Sequence, residues 1–259
     1  MSNIFSILIP SKDLDATVDF FKNSMGLITH PQNQLNDPQF KRHVTFQTAN
    51  GVTLVVVEPT SEFTTVYTHP VISIAVNELT SFHEQFHTLG LEFLTAVAQP
   101  HTEPATMRFR SPNGTPYQMT ADASPHQPTP IQQGAEGVEW ILVPTTHFEE
   151  TIGFFENTLK FSVLQRGTPV HDLRFHQYAQ YQVRNGVVLE VVEPIPTEQQ
   201  SFRGPVISIT VKDLLASRKQ LEKAGLSRLS DIVDGEDGSG WFYFEVPGST
   251  TFQLQGPLG

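Results

Sequence analysis

The chain contains no cysteine. That excludes disulfides, thiolate nucleophiles and zinc or iron–sulfur centres built on thiolates, and it fits a reducing cytoplasm. Positive charge is also scarce, with 16 Lys and Arg against 27 Asp and Glu and a net charge of −11 at pH 7. A nucleic-acid-binding surface needs a basic stripe to displace phosphate counterions. The only basic clusters, Lys41–Arg42 and Arg108/Arg110, are too small for that, so no nucleic-acid partner is expected. The acidic excess suits a soluble protein in general and a cationic small ligand in particular. No apolar run approaches the roughly 20 residues that a membrane crossing requires. The opening MSNIFSILIPSKD has neither a basic n-region nor a small-residue cleavage site. No membrane partner and no signal peptide are therefore expected, and a cytoplasmic location is. Phosphate-loop, GxSxG and post-strand GxGxxG motifs are all missing. Charged residues make up only 17% of the chain while apolar residues make up 38%, which favours packed cores over disorder.

What the chain does have is a long internal repeat. NGVTLVVVEP (50–59) matches NGVVLEVVEP (185–194), and PVISIAVNEL (70–79) matches PVISITVKDL (205–214). Both pairs are offset by 135 residues, and an offset of 134 relates ATVDFF (16–21) to ETIGFF (150–155). A period this long indicates a duplicated domain rather than a solenoid. We expect domain 1 over 1–121, a linker over 122–136 rich in Pro, Gln and Ala, and domain 2 over 137–259.

Each copy contains a weaker repetition of strand, helix and further strands. Residues 4–9 alternate and end at Pro10, a strand signal. Asp13 or Ser11 then caps a helix with Leu14, Val18, Phe21 and Met25 on one face, and Gly26 stops it. Asn50–Gly51 joins two strands as a hairpin. The pattern restarts with a strand at 71–76 and a helix at 79–89 that turns Phe82, Phe86 and Leu89 inward. A hairpin around SPNG (111–114) closes the copy. The chain thus reads as an α+β protein of four βαβββ modules, spanning 4–59, 70–120, 138–194 and 205–257.

This order of modules resembles the vicinal oxygen chelate superfamily, which includes glyoxalase I, extradiol dioxygenases and bleomycin-resistance proteins. SILIPSKDLDATVDFFKNSMGL (6–27), LEVVEP (189–194) and FRSPNGTPYQM (109–119) carry the likeness, which covers nearly the whole chain. The resemblance implies two domains whose mixed sheets curl into half-barrels. In the family a divalent metal sits in the half-barrel, held from four strand positions. Here those positions fall on Ser6, Val55, Val71 and Gln118 in the first copy, and on Trp140, Glu190, Val206 and Gln253 in the second. Pairing modules across copies instead would regroup these residues, and no grouping yields more than two plausible ligands or any histidine. We therefore expect no metal and no cofactor, and a small organic ligand in the cleft. The alternative is a divalent-metal-dependent lyase or dioxygenase with a rearranged ligand set drawing on Glu190, Gln253 and a displaced His69 or His176. Shorter members of the family dimerise to obtain a pseudo-twofold pairing that this chain supplies internally, so a monomer or a homodimer is expected.

The candidate ligand-binding residues are Trp140, Glu190, Tyr243, Gln253, Arg108 and Gln118. No catalytic residue is assigned. Glu190 interrupts an apolar strand where the first copy has Val55; desolvated there, it could act as a base or hold a cationic group. Tyr243 lies four residues before Pro247, and Arg108 four before Pro112. A tyrosine there stacks or donates a hydrogen bond, whereas an arginine suits a carboxylate or phosphonate. Trp140 turns a metal corner into an aromatic wall, giving an amphipathic cleft for a flat molecule, neutral or cationic. His69 is expected on a surface loop, and His83 and His87 on the outer face of their helix. The facing of His43 and His176 is left open.

Overall fold

The computed structural model describes residues 3–29, 38–48, 50–65, 67–76, 79–95, 106–111, 114–121, 137–182, 186–226, 228–235, 238–245 and 250–259. The segment 122–136, expected as a linker, lies outside them. In the first half, β1 (Asn3–Pro10), β2 (Ile28–Thr29), β3 (Phe40–Gln47), β4 (Thr53–Pro59), β5 (Val71–Val76), β6 (Thr106–Arg110) and β7 (Pro116–Ala121) form one sheet, in the order β2-β3-β4-β1-β5-β7-β6. In the second, β8 (Gly137–Pro144), β9 (Ser162–Gly167), β10 (Phe175–Gln182), β11 (Val188–Pro194), β12 (Val206–Thr210), β13 (Val233–Asp234), β14 (Ser239–Glu245) and β15 (Thr251–Pro257) form the other, in the order β13-β14-β15-β12-β8-β11-β10-β9. Helices α1 (Leu14–Asp19), α2 (Leu79–Thr88), α3 (Phe148–Gly153) and α4 (Leu214–Lys223) complete the α+β fold. Modules pair within each half: β1 runs antiparallel to β5, and β8 antiparallel to β12. This resolves the pairing that sequence left open. Among the described residues no helix is long and apolar enough to cross a membrane.

Local chemistry sets these elements. Asp13 caps α1 by accepting a hydrogen bond from Ala16 N at 3.0 Å, and Asp213 caps α4 through Ala216 N at 2.8 Å; such caps contribute about 1 kcal/mol each. Gly26 at φ 68° ends the first helical segment, and Gly51 at φ 81° turns the β3–β4 hairpin. Leu89 departs from expectation: α2 ends at Thr88, and Leu89 is 52% exposed in the turn toward Gly90. Strand β9 gave no sequence signal, because all six of its residues are exposed at the sheet edge.

Helix α1 continues into a π-turn at Phe20–Ser24, and α3 into another at Phe154–Thr158. Each of these segments buries two consecutive phenylalanines, Phe20–Phe21 and Phe154–Phe155. Phe20 and Phe21 pack on Phe244 and Phe252 of the other half, with ring centroids 5.9 and 5.6 Å apart. Reciprocally, Phe154 meets Phe86 and Phe109, and Phe155 meets Tyr117. The helical faces of both sheets therefore share one core.

Alternation sends the remaining strand residues to the two concave faces. Leu8, Val55, Val57 and Val71 form a small apolar cluster on the first; Leu142, Val192, Val206 and Tyr243 do so on the second. These concave faces position the candidate sites.

Candidate functional site

All eight residues at the metal-ligand positions of the resembled family lie on the concave faces. In the second half, cross-strand register sets Tyr243, Gln253, Ser208 and Trp140 side by side in one row. Gln180, Glu190, Leu142 and Val206 form the next row. Above them opens a cavity of about 690 Å³. Of the predicted residues it brings together Trp140, Glu190, Tyr243 and Gln253. The loop 168–172 and strand β14 complete its wall.

Glu190 sits at the centre of the site. Trp140 Nε1 donates to its Oε2 at 2.9 Å, and Gln180 Nε2 to its Oε1 at 3.0 Å. Burial pushes its pKa up to about 7; the two hydrogen bonds oppose the rise and the nearby Asp172 carboxylate adds to it. Among the described residues both of its hydrogen-bond donors are neutral. Asp172 has the opposite setting, accepting from Arg174 Nε at 2.8 Å, from Tyr243 Oη at 3.0 Å and from Trp241 Nε1 at 3.2 Å. The Arg174 guanidinium stacks 4.5 Å over the Tyr243 ring. Burial raises the Tyr243 pKa well above its ordinary value, and Asp172 adds to this, so its hydroxyl stays a hydrogen-bond donor.

Asp172, Arg174, Trp241 and Gln180 escaped the sequence reading. Asp172 lies on a loop, where periodicity carries no information. The duplication contained the signal: the 135-residue offset aligns Asp172 with Asp37 and Phe175 with Phe40.

In the first half the equivalent space is filled. Arg108, only 5% exposed, donates from Nε to Gln118 Oε1 at 2.7 Å and from NH1 to Gln39 Oε1 at 2.6 Å. Its guanidinium lies 5.1 Å from the Phe40 ring and 5.8 Å from the Tyr67 ring, and Tyr67 Oη also donates to Gln39. Arg108 and Gln118 are thus brought together, but with each other and away from the second-half cavity. The two halves place their arginine at swapped positions: Gln39 and Arg108 in the first correspond to Arg174 and Tyr243 in the second.

The donor set does not fit the metal that the fold family implies. An indole N–H cannot coordinate, valine offers nothing, and Glu190 with Gln253 leaves two weak ligands. Among the described residues no three His, Asp or Glu side chains are grouped to hold a metal ion. The displaced histidines do not supply the deficit: His176 is exposed, and His69 lines a different pocket. His69 also departs from its expected surface position, since it is half-buried against Gly204 of the other half. His87 is exposed as expected, while His83 is half-buried with its ring 4.8 Å from that of Phe93. His43 is half-buried on β3, and burial lowers its pKa.

No protein-family model matches this sequence, and no curated protein matches it either. Solved structures do. The Mn(II)-bound glyoxalase from Novosphingobium aromaticivorans superposes with a TM-score of 0.68 at 14% identity, covering 100% of this chain and 84% of that one. The 2,3-dioxygenase LapB from Pseudomonas sp. KL28 gives 0.67 at 12% identity, with 98% and 91% covered. A 4-hydroxymandelate synthase variant from Streptomyces coelicolor gives 0.63 at 14% identity, with 100% and 93% covered. At such identities the likeness fixes the fold and leaves the chemistry to the site. Four βαβββ modules, paired into two mixed sheets and superposing along nearly the whole chain on a glyoxalase and a dioxygenase, give this chain the α+β fold that those two structures share.

Proposed function

We propose that the second-half cavity binds a small, flat organic ligand bearing a cationic or multiply N–H-donating group, and that it does so without a metal. The observation that carries this reading is the Glu190 carboxylate, which faces the cavity with only neutral hydrogen-bond donors as partners among the described residues. Such a carboxylate gains most from an incoming positive charge, because part of its desolvation cost is already met. Trp140, Trp241 and Tyr178 supply flat aromatic walls around it, and aromatic faces attract cations as well as planar rings. A volume of about 690 Å³ suits a molecule of two or three fused rings. The first half contributes structure, since Arg108 fills the equivalent space.

Metal analysis of protein purified without chelator, followed by calorimetric titration with a planar amidinium such as benzamidine and with its neutral amide, tests the proposal. The expected result is no stoichiometric metal, binding of the cation alone, and affinity that rises about thirtyfold from pH 5.5 to pH 8 as Glu190 ionises. At pH 7 binding should release protons. Near-stoichiometric bound metal, or equal affinity for the amidinium and the amide, would sink it.

A further inference from the structure

The residues at positions 69 and 204 correspond across the duplication, and they touch. A Cβ built on Gly204 would lie 2.3 Å from His69 Cγ, so glycine there is what admits the imidazole. Beside this contact is a second pocket, of about 340 Å³, walled by both halves. It is separate from the cavity described above, with which it shares no lining residue.

Its charge runs against that of the protein. The net charge of the chain is −11, yet this pocket is lined by Arg110 and Arg203 and by no acidic residue among its described lining residues; Arg110 NH1 donates to the Gly114 carbonyl at 3.1 Å. Arg110 pairs with Glu92 at 3.2 Å, whereas Arg203 has no ion pair among the described residues. Arg203 is exposed at the mouth, and it is close enough to His69 to help burial hold that imidazole neutral. His69 Nδ1 is buried and without a partner among the described residues. Thr146 and Gln199 add polar side chains to the lining, whereas the Thr145 hydroxyl is engaged by Thr151 Oγ1 and His147 N.

We propose that this seam is a binding site for a compact oxyanion, a phosphoryl or carboxylate group, held by Arg203 and Arg110 with His69 beside them. Guanidinium groups match both anions through paired N–H donors. A bound anion would bridge the halves and stabilise the folded chain.

The test is thermal unfolding in inorganic phosphate, in succinate and in chloride at matched ionic strength, for wild type, Arg203→Gln and Glu190→Gln. A ligand at ten times its Kd should raise Tm by about 3 °C or more. The expected pattern is a rise with phosphate or succinate over chloride, lost in Arg203→Gln and kept in Glu190→Gln. The larger of the two rises identifies which oxyanion the seam prefers. Equal Tm in all three salts overturns the proposal, as does a rise that Arg203→Gln retains or Glu190→Gln removes. Arg203 is exposed and has no ion pair among the described residues, so its replacement leaves folding intact; Arg110→Gln provides a second variant with the same expected loss.

Discussion

Replacing Glu190 with Gln should stabilise the protein, and by an amount that depends on pH. An acid whose pKa rises on folding lowers stability progressively as pH climbs from its unfolded to its folded pKa, and the loss persists above both. For Glu190 that interval runs from the ordinary value of 4.5 to about 7. Across it the unfolded state holds fewer protons, so this group makes stability fall as pH rises. Below pH 4.5 the cost vanishes, and above about pH 7 it is complete and constant. At about 1.4 kcal/mol per pH unit the full interval amounts to about 3 kcal/mol. Glu190 lines a cavity that admits water, which lowers the realised figure to about 1–3 kcal/mol. The amide keeps the local bonds: its oxygen accepts from Trp140 Nε1, and its NH2 group donates to Gln180 once that amide turns over. The assay is urea unfolding of both proteins by circular dichroism, at half-unit steps from pH 5 to 8.5. The Gln variant should gain on wild type steadily up to about pH 7 and hold its lead above it. Parallel stability curves would refute the reasoning, because they would mean that the carboxylate is not desolvated.

Two further substitutions test the packing. Tyr117 is fully buried, its hydroxyl has no partner among the described residues, and burial drives its pKa up. Tyr117→Phe should therefore stabilise by about 1 kcal/mol, seen as a Tm increase of about 2 °C or more, and a decrease would show that the hydroxyl is satisfied. Gly204→Ala should cost about 1–3 kcal/mol in urea unfolding because its methyl group meets the base of the His69 side chain. Adding His69→Ala should recover at least half of that loss, and a double variant as unstable as the single one would place the strain elsewhere.

The division between what sequence showed and what it hid follows from how each feature is encoded. Trp140, Glu190 and Gln253 were singled out because the resemblance implies a site at their strand positions, and strand parity then keeps residues of one row on one face. Loop geometry has no period, and Asp172, which anchors Tyr243, Trp241 and Arg174, sits on a loop. The closure of the first half was hidden for a different reason. Arg108 was offered as a ligand-binding residue, but its guanidinium meets Gln39, 69 positions away in sequence. The π-turns were invisible because the apolar spacing of these segments fits an ordinary α-helix, and a single widened turn has no period of its own.

Those π-turns have an evolutionary consequence. Each copy carries a pair of rings that fills a space in the other copy's core, so neither copy can be deleted without exposing the survivor's interior. Their chemistry is under no such bond. The first copy could lose its cleft to Arg108 and still be indispensable as the partner that Phe154 and Phe155 pack against. Duplication of this kind allows the two copies to specialise, one retained for support while the other acquires new binding preferences.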